Sequence, residues 1–199
     1  VDKKKRIFIG HNRLSIIDVS PISNQPMISK DTETVLTFNG EIYNYKIIRK
    51  ELLNCGISFT TSSDTEVVIK SLAQWGVNAL NKFKGMFSFC LYNIKEQTII
   101  LARDRVGEKP LFYSVEDGVF QFSSETRNLN LTDKKIDYYS LNYYLGAFGI
   151  PSGKSIYQNI KQLKPGHYLE IKTNKKINNN LLIEKEYWSL NQLEKKICL

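Results

Sequence analysis

The stretch MFSFCLYNIKEQTIILARD, residues 86 to 104, holds two apolar runs separated by a short polar turn. Two further runs, LFYSV at 111–115 and VFQFSS at 119–124, are separated by Glu116-Asp117-Gly118. Runs of four to eight residues that alternate with a period of two, bounded by polar or glycine-containing turns, are typical of β-strands. This half of the chain is therefore predicted to form consecutive antiparallel strands.

Upstream of these strands, the pattern predicts two strands and two helices. RIFI at 6–9 and TVLTF at 34–38 are predicted strands. Tyr45, Ile48 and Leu52 recur at helical spacing and predict a helix over 44–53. Ser63-Asp64-Thr65-Glu66 fits a capping box, which predicts a second helix that ends at Gly76.

Downstream, a helix is predicted over 137–145 and a last strand at HYLEIK, 167–172. Strand, helix, helix and then consecutive strands predict a single α+β domain with helices covering antiparallel sheets. The sequence contains no GxGxxG stretch, no Walker-type phosphate loop and no internal repeat.

Composition excludes several classes of protein. The 199 residues include 28 Lys and Arg against 20 Asp and Glu, but these charges are scattered and no nucleic-acid-binding motif accompanies them. We therefore expect no nucleic-acid partner. The apolar runs are shorter than the roughly 18 to 20 residues of a membrane helix, so we expect no membrane association. Three widely spaced cysteines form no disulfide framework or metal pair, which favours a cytoplasmic location.

Residues at four places could take part in chemistry, and each has a structural alternative. Asn39-Gly40 could be a tight turn, or an oxyanion hole formed by a side-chain amide and a backbone N–H. Asp64 could stabilise the start of its helix, or bind the ammonium group of a ligand. Arg13 could be a solvated loop residue, or a bidentate clamp for a carboxylate.

The fourth place, RDRVGEKPLFYS at 103–114, is interpreted as a charged turn shaped by an Arg–Asp pair. His11 is interpreted as a structural histidine. An arginine, an acid and an oxyanion-type pair together would suit an α-amino acid whose side chain undergoes acyl transfer.

Seven motifs in order resemble one known family: GHNRLSIID, FNGEIYNY, SSDTEV, KGMFSF, RDRVGEKPLFY, FSSE and LKPGHYLEI. They resemble the glutaminase domain of glutamine-hydrolysing asparagine synthetases, which are class II glutamine amidotransferases. The resemblance runs from about residue 6 to Trp188. It implies an N-terminal nucleophile hydrolase-like αββα sandwich of two antiparallel sheets, and L-glutamine as the substrate.

The resemblance also implies a role for individual residues. Arg13 would bind the α-carboxylate of glutamine, and Asp64 its α-ammonium group. Asn39 and Gly40 would form the oxyanion hole, with Glu41 beside the substrate. The backbone of four consecutive residues would line the site: Leu14, Ser15, Ile16 and Ile17.

The chain departs from the family at its start. Family members begin with a nucleophilic cysteine, whereas this chain begins Val-Asp-Lys. We therefore expect residues 1–189 to be an amidotransferase domain without its nucleophile and first strand, and 190–199 to be a linker. On this expectation the chain alone is inactive.

In the full-length enzyme, the resemblance implies conversion of aspartate, glutamine and ATP to asparagine and glutamate. ATP and Mg²⁺ would bind the separate synthetase domain of the same protein, and this chain would hold no cofactor or metal. A homodimer is possible on this interpretation. The alternatives are a non-catalytic glutamine-binding or scaffold module, and an amidotransferase for another carboxylate acceptor.

Overall fold

The computed structural model describes residues 7–12, 18, 20–177 and 182–191. It contains three α-helices: α1 (Tyr45–Asn54), α2 (Asp64–Trp75) and α3 (Tyr138–Ala147). The nine strands are β1 (Met27–Ser29), β2 (Thr34–Ile42), β3 (Gly85–Asn93), β4 (Thr98–Arg103), β5 (Phe112–Glu116), β6 (Val119–Ser123), β7 (Lys161–Gln162), β8 (His167–Lys172) and β9 (Glu184–Glu186).

The strands form two antiparallel sheets. The larger sheet has the order β1-β2-β3-β4-β8-β9, and the smaller has the order β6-β5-β7. The predicted consecutive strands β3 to β6 are confirmed, but they divide between the sheets, with β3 and β4 in the larger and β5 and β6 in the smaller. The expected α+β class with two antiparallel sheets is also confirmed.

The side chains of β3 explain why the larger sheet is buried on both faces. Phe87 and Phe89 join a core with residues of α1 and α2, including Leu52 and Val68. Cys90 and Tyr92 belong to a second core, which includes Tyr113 of the smaller sheet. Because successive side chains of a strand point to opposite faces, the mostly apolar β3 supplies both cores. The larger sheet therefore lies between helices α1 and α2 on one face and the smaller sheet on the other.

The predicted N-cap of α2 at Ser63 is confirmed, but the reciprocal half of the capping box is not, because the Ser63 N–H donates to the Thr61 hydroxyl instead of to Glu66. The Ser63 hydroxyl accepts a hydrogen bond of 3.2 Å from the Glu66 N–H. The Glu66 carboxylate binds the preceding loop, accepting the N–H groups of Thr60 at 2.9 Å and Thr61 at 2.6 Å. The helix ends at Gly76, whose φ is +57°. The cap thus fixes the loop before α2 as well as the first turn of the helix.

Some parts of the fold differ from the prediction or are left untested. The predicted strand at 6–9 is wrong for its described part, because Ile7 forms only an isolated bridge and residues 8–10 have no regular structure. The short strands β1, β7 and β9 were not predicted. Two or three residues are too few to show a period, and their pairing is set by distant strands. The domain boundary at 189 stays a prediction.

Helix α3 is confirmed two residues longer than predicted at its C-terminal end, and it differs from α1 and α2 in its packing. Asp137 caps its start, accepting the Tyr139 N–H at 3.3 Å. Only Ser140 is buried, whereas Tyr138 and Leu145 are well exposed.

Among the described residues, no helix combines the length and the apolar character needed to cross a membrane.

Candidate active site

A cavity of about 680 Å³ lies where strands β2 and β3 meet the start of α2 and the end of β6. Asn39, Gly40, Glu41 and Asp64, four of the residues singled out from the sequence, line it. The cavity is also lined by Gly10, His11 and Asn12. The other predicted site residues, Arg13, Leu14, Ser15, Ile16 and Ile17, lie outside the described residues, and their roles stay predictions.

Asn39 and Gly40 do not form a turn, so the turn interpretation is wrong. They lie inside β2, where Asn39 pairs with Ser88 and Gly40 with Phe87 of β3. The φ of Gly40 is +148°, a backbone conformation that residues with a side chain rarely adopt. A Cβ atom on Gly40 would collide with the Met86 carbonyl oxygen and lie 2.7 Å from Phe87 Cα. The Asn-Gly dipeptide therefore serves a close approach between strands.

The edge of β2 that faces away from β3 carries polar groups from other parts of the chain. The Gln25 side chain accepts the Phe38 N–H at 2.6 Å and donates to the Phe38 carbonyl at 3.0 Å. Four residues further along β2, Ile42 donates its N–H to Asp64 Oδ2 at 3.1 Å. Because N–H groups of alternate strand residues point to the same edge, the Gly40 N–H lies between these two. This edge therefore presents a backbone donor to the cavity.

The Asn39 side chain adds a second donor near this N–H. Its Nδ2 donates a hydrogen bond of 3.3 Å to the hydroxyl of Ser124, the residue that follows β6. An amide nitrogen has two hydrogens, so one remains for a ligand. A side-chain amide and a glycine N–H on adjacent residues can stabilise a negative oxygen that develops during acyl transfer.

Asp64 is a buried carboxylate on the cavity wall, with 5% of its surface exposed. Burial raises its pKa above the ordinary value, and the nearby Glu41 adds to this. Hydrogen bonds from backbone N–H groups of Ile42 and of the first residues of α2 act in the opposite direction. Burial disfavours the ionised form, and no cation among the described residues contributes to the shift. A ligand ammonium group would therefore find an incompletely stabilised carboxylate here.

Asp18 fixes the chain segment that follows the predicted Arg13 region. Its carboxylate accepts the Ser62 N–H at 2.9 Å and the Ser20 hydroxyl at 2.5 Å. Hydrogen bonds from Ser20, Ser62 and Ser23 hold its pKa well below the usual range. Sequence reasoning did not single out Asp18, although an aspartate that follows an apolar run before a serine is a common turn signal.

The interpretation of residues 103–114 as architecture agrees with the structure, but in a different way from the expected Arg–Asp pair. The Arg103 side chain donates to the backbone carbonyls of Lys109 and Leu163 at 2.7 and 2.8 Å. Asp104 accepts five backbone N–H groups, among them those of Gly107 at 2.6 Å and Phe87 at 3.3 Å. Each side chain binds the backbone and holds the loop in one shape.

Sequence reasoning did not single out several polar residues of the cavity wall, among them Gln25, Lys109 and Glu125. Lys109 had no usable signal, because it lies in a loop before β5, where no period-two pattern applies. Cys90 also lines the cavity, but burial raises the pKa of its thiol, which keeps it protonated and poorly nucleophilic.

Comparison with known proteins gives three findings. A family model described as a glutamine amidotransferase domain matches residues 1–188. Asparagine synthetase [glutamine-hydrolyzing] 1 of Bacillus subtilis is 35% identical over 170 residues, which cover 84% of this chain and 27% of that protein. Amidase chyE of Penicillium rubens is 30% identical over 189 residues, or 95% of this chain and 27% of the relative. The chain thus spans about a quarter of the length of these relatives.

Solved structures show the same fold. Glutamine phosphoribosylpyrophosphate amidotransferase from Bacillus subtilis, complexed with ADP and GMP, is 22% identical with a TM-score of 0.54, covering 84% of this chain and 32% of that one. A structure described as the allosteric regulatory enzyme of purine biosynthesis is 23% identical with a TM-score of 0.57, covering 85% and 32%. At these identities the likeness concerns the fold.

Proposed function

This chain belongs to the glutamine amidotransferase domain family, and we propose that it binds L-glutamine in the cavity beside β2 and releases ammonia from it. We further propose that the ammonia serves a glutamine-hydrolysing asparagine synthetase, the name carried by relatives at 34 and 35% identity. The observation that carries the proposal is the placement of Asn39, Gly40 and Asp64 on one cavity.

The described residues would bind the two ends of glutamine separately. The carboxylates of Asp64 and Glu41 attract the α-ammonium group of glutamine. Asn39 Nδ2 and the Gly40 N–H face the side-chain carbonyl, where negative charge develops. Arg13 remains the predicted partner of the α-carboxylate.

The chemistry is hydrolysis of an amide through a thioester. A thiolate attacks the side-chain carbonyl carbon, and the carbonyl oxygen becomes an oxyanion that Asn39 and Gly40 stabilise. Collapse of this intermediate breaks the C–N bond and releases ammonia after the nitrogen is protonated. Water then attacks the thioester, which gives glutamate and regenerates the thiol. The family resemblance assigns the thiol to an N-terminal cysteine, and the buried Cys90 is unsuited to this role.

The same proposal includes the remaining partners. Aspartate, ATP and Mg²⁺ would act in the synthetase region, and the residues described here include no cluster of three His, Cys, Asp or Glu side chains that could hold a metal. We also propose a cytoplasmic location, supported by the buried free thiol of Cys90 and the exposed free thiol of Cys55. Self-association as a homodimer and the lack of a nucleic-acid partner belong to the proposal as well.

Substitution of Asn39 tests the proposal in the natural full-length gene product. We expect Asn39→Ala to lower glutamine-dependent amide synthesis by about 100- to 1,000-fold, the usual cost of removing one oxyanion-hole donor. Synthesis with added ammonia should stay unchanged, because that reaction bypasses glutamine. The measurement is the steady-state rate with each nitrogen source.

Asn142→Ala is the matched control, because Asn142 is exposed on α3 and lies outside the cavity lining. An Asn39→Ala enzyme with normal glutamine-dependent turnover would contradict the oxyanion assignment. If the full-length protein bound glutamine but never released glutamate, the non-catalytic binding module would replace the proposed enzyme.

A further inference from the structure

The loop between β4 and β5 holds Lys109 in a fixed position against the cavity. Asp104 Oδ2 accepts the Lys109 N–H at 3.0 Å, and Arg103 Nε donates to the Lys109 carbonyl at 2.7 Å. Arg103 and Asp104 are both buried, with 6% and no exposed surface. Both backbone polar groups of Lys109 are therefore bound by charged side chains that cannot move freely.

The same loop is tied to the strands that carry the proposed oxyanion donors. Asp104 Oδ2 also accepts the N–H of Phe87, the strand partner of Gly40. The hydroxyl of Ser88, the strand partner of Asn39, donates to the Pro110 carbonyl at 3.1 Å. Lys109 is thus held in a loop that is hydrogen-bonded to Phe87 and Ser88, the strand partners of Gly40 and Asn39.

The charges on the cavity wall give Lys109 a distinct place. Three carboxylates line the described wall, those of Glu41, Asp64 and Glu125, and Lys109 is the one lysine or arginine among the described lining residues. Lys109 is partly buried, and within the described residues its ammonium group has no carboxylate partner within 4.0 Å. A partly desolvated ammonium group without an anion is favourably completed by one.

We propose that Lys109 is a specificity-determining residue that binds the side-chain carboxylate of glutamate, the product of hydrolysis. This inference rests on the proposed function. Hydrolysis converts a neutral amide to an anion, and the Glu41 and Asp64 carboxylates disfavour an added negative charge, whereas Glu125 is paired with Arg127. Lys109 would supply the compensating positive charge in the same cavity as the oxyanion donors. Glutamine, whose side chain is neutral, depends on this ammonium group much less than glutamate does.

Calorimetric titration of this chain with glutamine and with glutamate tests the inference. We expect Lys109→Met to weaken glutamate binding at least about tenfold, as loss of a charge-assisted hydrogen bond does, and glutamine binding less than about threefold. Lys109→Arg keeps the charge and should retain most of the affinity for glutamate. Lys95→Met is the matched control, since Lys95 is exposed in the β3–β4 turn, at the opposite end of these strands.

The other outcomes each overturn the inference. If Lys109→Met weakens both ligands equally, Lys109 only supports the shape of the site. If it weakens neither, or if the unaltered chain binds glutamine but not glutamate, the proposed contact does not exist, while glutamine binding still stands. If the unaltered chain binds neither ligand, this inference and the glutamine-binding step of the proposed function fail together.

Discussion

Two buried aspartates, Asp104 and Asp64, have opposite relations to the backbone around them. Asp104 accepts five N–H groups from its own loop and from β3, so its oxygens are saturated with donors. Asp64 accepts the N–H of Ile42 and of residues at its own helix start, and burial still raises its pKa. The comparison teaches that the supply of backbone donors, more than burial, separates an architectural carboxylate from one with capacity for a ligand.

The largest effect expected from this comparison is on folding stability. Asp104→Asn replaces an oxygen that accepts N–H groups with an NH₂ group that faces them, so buried donors lose their partner. We expect the free energy of unfolding to fall by at least about 3 kcal/mol, since each unsatisfied buried group costs about 1–3 kcal/mol. Urea denaturation followed by circular dichroism measures this. A loss below about 1 kcal/mol would remove the distinction between the two aspartates.

Asp64→Asn should have the opposite effect to Asp104→Asn, with little change in folding stability and a clear loss of glutamine binding. Because burial already disfavours the Asp64 carboxylate, a neutral amide should change the free energy of unfolding by less than about 1 kcal/mol at neutral pH. Glutamine binding should weaken by roughly 10- to 100-fold, because the α-ammonium group loses its ionised partner. Calorimetry and urea denaturation of the same variant give the two values. A strong loss of stability with normal binding would make Asp64 architectural instead.

The smallest effect is a pH dependence that sharpens the assignment of Asp64. Its folded-state pKa is raised above the ordinary 3.8, so the unliganded folded chain binds the proton more tightly than the unfolded chain does. The stability that this proton contributes is present at low pH and is lost as pH rises from 3.8 through the raised pKa. An ammonium ligand favours the ionised form, so glutamine binding should weaken as pH falls through the same window.

Below the raised pKa, the loss of affinity should approach tenfold for each pH unit. Titrations of the unaltered chain across this window measure the slope, and the same titrations of the Asp64→Asn variant test whether Asp64 is the group responsible. A variant that keeps the full slope would assign the pH dependence to another group.

The sequence predicts contacts between residues that are close along the chain, and it does not predict contacts between residues that are far apart. Ser63 and Glu66 predicted the start of α2, because an N-cap depends on residues only three positions apart. The period-two pattern predicted β3 to β6, because the alternation is visible among residues that are neighbours along the chain. Neither pattern carries the pairing of Ile42 with Asp64, which are 22 positions apart, or of Gln25 with Phe38. These contacts form only when the sheet has assembled.

Lys109 illustrates the limit within a recognised motif. The charged loop was correctly interpreted as architecture from Arg103 and Asp104, yet one of its residues lines the cavity. Composition could not separate them, because all three are charged residues in one turn. The separation follows from the folded loop, in which Arg103 and Asp104 bind backbone groups whereas Lys109 lines the cavity.

The close approach of Gly40 to β3 has a consequence for mutagenesis. The proposed donor at this position is a backbone N–H, which side-chain substitutions other than proline leave in place. Alanine there would strike the Met86 carbonyl oxygen, so a scan would record a distorted strand and say nothing about the donor. Replacing the amide with an ester by semisynthesis would delete the hydrogen-bond donor while keeping the side-chain-free backbone. Gly40 is thus a position whose chemistry standard genetic substitution cannot isolate.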